Sequence, residues 1–188
     1  MDRNLANAVA RCGTVSVDGT FYRHASMGAR PLSGSEAGGR WGPRGAYPVL
    51  YLGRPLSSVT VEAYRLLVDP FSGMTGDMVA PRHLYTYDLR VSELLDLRIP
   101  GNLTGVGLNE DNLRGLHPPC QAVGAAAHQL GLHGVIASAA TGLGETLALF
   151  LRHLPDAEQP SVTEDAVWNV LPADPRRLRV IGGTATGN

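Results

Sequence analysis

Arg40, Tyr51 and Glu62 stand at even intervals in the stretch GGRWGPRGAYPVLYLGRPLSSVTVE, residues 38–62. An arginine guanidinium pairs bidentately with phosphate or carboxylate, and each charge-assisted bond is worth roughly 1.5–3 kcal/mol. Arg40, Arg44 and Arg23 are therefore candidates for an anion clamp, against the plainer alternative of solvated surface arginines. Glu62 falls on the margin of a helical face shared by Val59, Ala63 and Leu66, which aims its carboxylate at the core or a cleft. The plainer alternative there is a structural glutamate paired with Arg65 or Arg40. Tyr51 lies in a short apolar run between the two.

The elements that position these groups follow from local pattern. Gly38, Gly39, Gly42, Gly45 and Pro43 make a loop whose backbone can approach a ligand closely. Val49–Leu52, bounded by Pro48 and Gly53, reads as a buried strand. Ser57 or Ser58 is the expected N-cap of a helix over 58–68. Upstream, Leu5–Val9 reads as a helical turn. Residues 14–17 and 20–23 read as a hairpin around Asp18-Gly19, with Arg23 at the end of its second strand.

Downstream, Leu84–Leu89 alternates as a strand, and Ser92–Leu97 reads as a short helix with a serine cap. Pro100–Gly107 is expected to be irregular, and Glu110–Leu116 a helical turn stopped by Pro118-Pro119. Cys120–Leu130 is Ala-rich and helix-favouring. Residues 134–137 and 147–151 are apolar strand candidates around the Ser/Gly-rich turn Ser138–Glu145. Val167–Leu171 and Leu178–Ile181 add two more, before a tail at 182–188 expected to be frayed. Strands outnumber good helices without alternating with them. That pattern predicts one α+β domain over 1–188, with mixed and antiparallel sheets and flanking helices. The long loops at 25–38 and 69–81 are functional candidates, one of them expected to line the mouth of the site.

Composition excludes several classes. With 188 residues and a net charge of −1, the chain has the size of one domain and no basic footprint for nucleic acid. All of its 16 basic residues are arginine, so lysine catalysis is ruled out. Cys12 and Cys120 lack metal or CxxC spacing and read as thiols in a reducing cytosol. The N-terminus lacks the pattern of a signal peptide. The stretch 120–144 has no Asp, Glu or Arg, yet its Gln, His and Gly make it too polar to span a bilayer. A cytoplasmic protein that engages neither membrane nor nucleic acid is expected.

Other chemistries are weaker. The Gly-rich loop is neither GxGxxG nor a P-loop. His128 and His133 have no third ligand at useful spacing, so no metal site is expected. No GxSxG occurs. Ser138, at a strand end before AATGLG, offers a hydroxyl among backbone N–H groups, a common setting for a ligand. Trp41, Tyr85, Tyr87 and Trp168 read as core or cleft wall.

Taken together, YRH at 22–24, GGRWGPRG at 38–45, VLYLG at 49–53, Glu62 on its helix and GVIASAATGLGETLALF at 134–150 resemble the RES domain. The resemblance runs over about residues 21–151. The third motif departs from the family, which often carries an Arg after the serine and an Asn after the glycines. Here Ala140 and Glu145 stand in those places.

The resemblance implies an ADP-ribosyltransferase-like fold and the toxin half of a bacterial toxin–antitoxin pair that depletes NAD+. Its chemistry would cleave the nicotinamide–ribose bond by hydrolysis or phosphorolysis. Arg40, Tyr51, Glu62 and Ser138 would be the catalytic set. Arg23, Arg40, Trp41, Tyr51 and Ser138 would bind the dinucleotide. NAD+ would be the substrate and inorganic phosphate a candidate co-substrate, with no cofactor. The partner would be an antitoxin with a helix-turn-helix part that covers the active site, in a higher-order assembly. The residues suit this chemistry: a carboxylate such as Glu62 can stabilise the positive charge that develops on the ribose. Two other readings stay open, an ADP-ribosyltransferase with a protein or nucleic-acid target, and an inactive partner-binding protein.

Overall fold

A computed structural model describes residues 3–115 and 117–176. Two long strands organise it. β1 (Val15–Ser26) and β3 (Arg82–Asp96) run antiparallel from Val15 opposite Leu94 to Ser26 opposite Arg82. β1 also meets β2 (Leu50–Arg54) at Tyr22 and Gly53. β2 pairs antiparallel with β5 (Glu145–Leu149), which pairs antiparallel with β4 (Gly134–Ser138). β4 then returns parallel to the last residues of β3, so these five strands close on themselves. β6 (Ser161–Trp168) extends the first half of β3.

Burial follows the two-residue period of these strands. Phe21, Leu50, Leu52, Tyr87, Leu94, Ile136 and Leu147 fill the space inside the ring. On the outer face of β4 and β5, Val135, Ala137 and Ala148 form a second core. There they pack under α1 (Arg3–Arg11), α3 (Pro100–Gly105), α4 (Glu110–Arg114) and α5 (Pro118–Gln129). α2 (Leu56–Leu67) follows β2 and packs on β1 and β2. The fold is α+β with a mixed sheet. Among the described residues no helix is long and apolar enough to cross a membrane.

Several expectations are corrected. Asp18-Gly19 makes no hairpin: β1 runs straight through Gly19, which takes φ +107°. A long ladder with β3 outweighs a two-residue turn signal. Ser92–Asp96 is strand rather than helix. Ser92 gives its N–H and hydroxyl to Glu158, and Leu94–Asp96 pair with β4, so tertiary partners capture the backbone. α2 starts at Leu56 with Pro55 as N-cap, and Ser58 instead reaches Thr141. Pro118-Pro119 open α5 rather than merely ending the turn before it, as proline suits the first helical positions. Pro100–Gly105 is helical, and the strand expected at Val167–Leu171 ends at Trp168. The expectations for Leu178–Ile181 and the tail 182–188 lie outside the described residues.

Candidate active site

β2 carries the alternation that aims Tyr51. Leu50 and Leu52 turn into the ring, so Tyr51 faces the opposite side, toward the loop that bears Arg40 and Trp41. Its hydroxyl accepts the Trp41 N–H at 3.0 Å, which leaves the phenolic proton free for a ligand. Burial pushes the phenol up to about 12, against the pull of backbone donors and Arg40. Tyr51 therefore stays protonated at neutral pH and can donate but not act as a base.

The loop is tied down from several sides. Tyr47 donates to the Trp41 carbonyl at 3.1 Å, and Gln121 donates to the Gly39 carbonyl at 3.0 Å. Arg40 Nη1 donates to the carbonyl of Asn112 at 2.6 Å, a helix-end acceptor of α4 left without an intrahelical donor. The capping box of Asn109 and Asn112 holds that helix in place. Trp41 itself is 1 % exposed, packs in the outer core and lines the cavity wall.

Glu62, on α2, is half-exposed and lies 3.8 Å from Arg65, a loose contact. Val59 and Ala63 are buried as its helical pattern predicts, whereas Leu66 is 58 % exposed and lines the cavity. Ser138 ends β4 opposite Glu145. The turn after it closes with Ala139 N–H on Gly144 O and is latched to α2 by the Ser58–Thr141 hydroxyl contact at 3.0 Å. Gly144 is required there, because it has φ +67° and a Cβ would collide with the Arg54 backbone. Glu145, standing where the family often has Asn, accepts from Arg54 and Arg98 and braces the turn from behind.

These parts converge. Arg23, Arg40, Trp41, Tyr51, Glu62 and Ser138 all line one cavity of about 500 Å³. Of the two loop candidates, 25–38 contributes Ala29, Ser35 and Gly38 to its wall, while its first two residues, Ala25 and Ser26, line it as the end of β1. No residue of the 69–81 loop is among the lining side chains described. Arg44, the third member of the suggested clamp, instead donates to the Ala37 carbonyl and does not line the cavity.

Three lining residues escape a sequence reading. His117, at the N-cap of α5, feels both Arg40 and Glu62; burial and Arg40 hold its imidazole below the usual range, opposed by Glu62. Arg82 enters through the β1–β3 register opposite Ser26. His24 belongs to the YRH motif at 22–24, but only Arg23 of that motif was a candidate binding residue. Glu62 is the sole carboxylate among the lining residues described, which include Arg23, Arg40 and Arg82. That balance suits an anionic ligand with one cationic centre.

His24 gives a testable electrostatic signature. Burial, then Arg82 and Arg23, lower its imidazole from 6.5 to about 4. Because a guanidinium only donates, Arg82 Nη2 at 3.3 Å fixes His24 Nδ1 as acceptor and the ring as neutral. Between pH 6.5 and about 4 the unfolded chain binds this proton and the folded one does not, so stability falls as pH falls through that window. The expected loss is roughly 2–3 kcal/mol. Urea midpoints compared at pH 7 and pH 4.5 should show a smaller drop for His24→Gln than for wild type.

Comparison with known proteins places the chain in a family. Two relatives are NAD(+) phosphorylase MbcT of Mycobacterium bovis and of Mycobacterium tuberculosis. Each is 33% identical over 148 residues, covering 77% of this chain and 80% of the relative. The fold matches a crystal structure of the M. tuberculosis MbcT–MbcA toxin–antitoxin complex, with TM-score 0.77 and 31% identity, over 89% of this chain and 93% of that one. Residues 17–171 match the RES domain, beyond both ends of the motifs that carry the resemblance, and the chain belongs to the RES domain family.

Proposed function

We propose that this chain is an NAD+-consuming toxin enzyme that cleaves the nicotinamide–ribose bond, with inorganic phosphate as the acceptor. The observation that carries the reading is the single carboxylate among three arginines in a cavity of a chain similar to NAD(+) phosphorylase MbcT. Glycosidases that activate water or form a covalent intermediate usually use two carboxylates. Phosphate arrives already anionic and needs no general base.

In this reading the C1′–N bond breaks, its electron pair leaves with neutral nicotinamide, and a phosphate oxygen bonds C1′. Glu62 stabilises the oxocarbenium-like charge on the ribose. Arg40, held by Asn112, binds a phosphate group, and Arg23 is a second contact. Tyr51 donates its free proton to the nicotinamide end or a ribose oxygen. Ser138 contributes a hydroxyl at the turn. No resident cofactor or metal is needed for these steps. Residues 1–188 act as one domain, in the cytoplasm where NAD+ is available. An antitoxin with a helix-turn-helix part caps the cavity mouth, within a larger toxin–antitoxin assembly.

Product analysis tests the acceptor. Mass spectrometry of the reaction with phosphate should give nicotinamide and a phosphorylated ADP-ribose, and Arg40→Ala should give neither. ADP-ribose alone would mean hydrolysis. Stable labelling of a protein or nucleic acid would mean a transferase, and no product from folded, partner-free protein would mean an inactive binding protein.

A further inference from the structure

The cavity holds two cationic groups that do not share partners. Arg40 is fixed to the α4 carbonyls and acts on Tyr51, His117 and Cys120. Arg82 sits at the β1–β3 end, where it touches His24 and is felt by Arg23. Among the described residues, neither Arg23 nor Arg82 has a carboxylate within 4 Å. Arg82 Nε is buried and has no hydrogen-bond partner. Arg23 Nη1 is occupied by the carbonyls of Arg30 and Pro31, which fixes its position without neutralising it.

Two neighbouring arginines on one cavity wall, neither paired with a carboxylate, repel each other unless an anion completes them. Nearby Ser26, at the end of β1, and Ala29, in the loop after it, have small side chains, so space for the anion is kept open. His24 cannot supply the negative charge. Stacked near Trp168 at 6.4 Å between ring centroids, it serves as a neutral acceptor that aims the Arg82 fork.

We propose that Arg82, aimed by His24 and beside Arg23, is a second anion-binding position of this cavity, taking a phosphate group separately from Arg40. The inference rests on the NAD+ reading for the source of that group, which is either the dinucleotide's pyrophosphate or free inorganic phosphate. Two separated anion positions in one cavity fit a reaction in which a phosphate-bearing substrate and a phosphate ion are held together. Arg82 is then a binding residue that sets substrate affinity rather than a group that acts on the reacting bond.

The test pairs calorimetry with kinetics on the full chain. Inorganic phosphate and pyrophosphate are titrated into wild type, Arg82→Gln and Arg82→Lys. Loss of one charge-assisted contact should weaken one of these anions about tenfold or more in Arg82→Gln, with partial recovery in Arg82→Lys. A raised KM for NAD+ with an unchanged KM for phosphate assigns the position to the dinucleotide; the reverse assigns it to free phosphate. Unchanged affinity for both anions and unchanged KM values in Arg82→Gln would overturn the proposal. Should Arg82→Gln fail to fold, Arg82→Lys carries the same comparison, since a lysine cannot reproduce the fork. Anion binding lost on substitution, in a protein that leaves NAD+ intact, would spare the subsite and refute the NAD+ reading.

Discussion

Glu62→Gln should lower kcat for NAD+ cleavage by about 10²–10³, comparable to losing one electrostatic stabiliser of a transition state. The substitution keeps the shape and removes only the charge. The KM for NAD+ should change little, because the charge that Glu62 opposes exists only as the glycosidic bond breaks. The fold should be indifferent. Glu62 is 55% exposed in its side chain, and its one ion pair, at 3.8 Å to Arg65, is loose. Its stability cost should therefore lie within about 0.5 kcal/mol. Steady-state kinetics and a urea titration of the same preparation separate the two effects. A kcat within about threefold of wild type, a difference of less than 1 kcal/mol, would remove Glu62 from the chemistry.

Gly124→Ala should damage fold and activity together. A Cβ at Gly124 would run into the carbonyl and Cα of Trp41, backbone atoms that cannot rotate away. α5 and the Arg40–Trp41 loop would have to separate. Alanine improves helix propensity by about 1 kcal/mol, but overpacking costs up to about 3 kcal/mol, so a net loss of about 2 kcal/mol is expected. That corresponds to a fall in Tm of roughly 4–8 °C. The same displacement would pull Trp41 N–H off the Tyr51 hydroxyl and Gly39 O off Gln121. NAD+ turnover at a temperature where the variant is still folded should consequently fall as well. A variant of wild-type stability and turnover would mean that this contact is not what holds the loop.

The site was legible where its residues act through local chain. Arg40, Tyr51, Glu62 and Ser138 each sit at a fixed place in a glycine-rich loop, a strand, a helix and a strand-end turn, so a motif could reveal them. Arg82 and His117 reach the cavity only through long-range packing, the first by strand register with Ser26 and the second by the placement of α5. Neither has a neighbour in sequence that marks it. In the fold, the apolar runs at 49–52 and 134–137 read as strands close to β2 and β4, and the run at 147–151 found β5 two residues late, because burial on both sides leaves a clear signal. Asp18-Gly19 and Ser92 misled because each carries strong local turn or cap chemistry. β1 and β3 override it with one continuous ladder and with the Glu158 contact to Ser92. Local preference lost to long-range pairing in both.

The decisive experiment follows NAD+ and free nicotinamide over time with purified, partner-free protein, with and without inorganic phosphate. Rapid, phosphate-dependent loss of NAD+ matched mole for mole by nicotinamide is expected, slowed about 10²–10³-fold in Glu62→Gln. NAD+ that persists in the presence of phosphate and folded wild-type protein would contradict it.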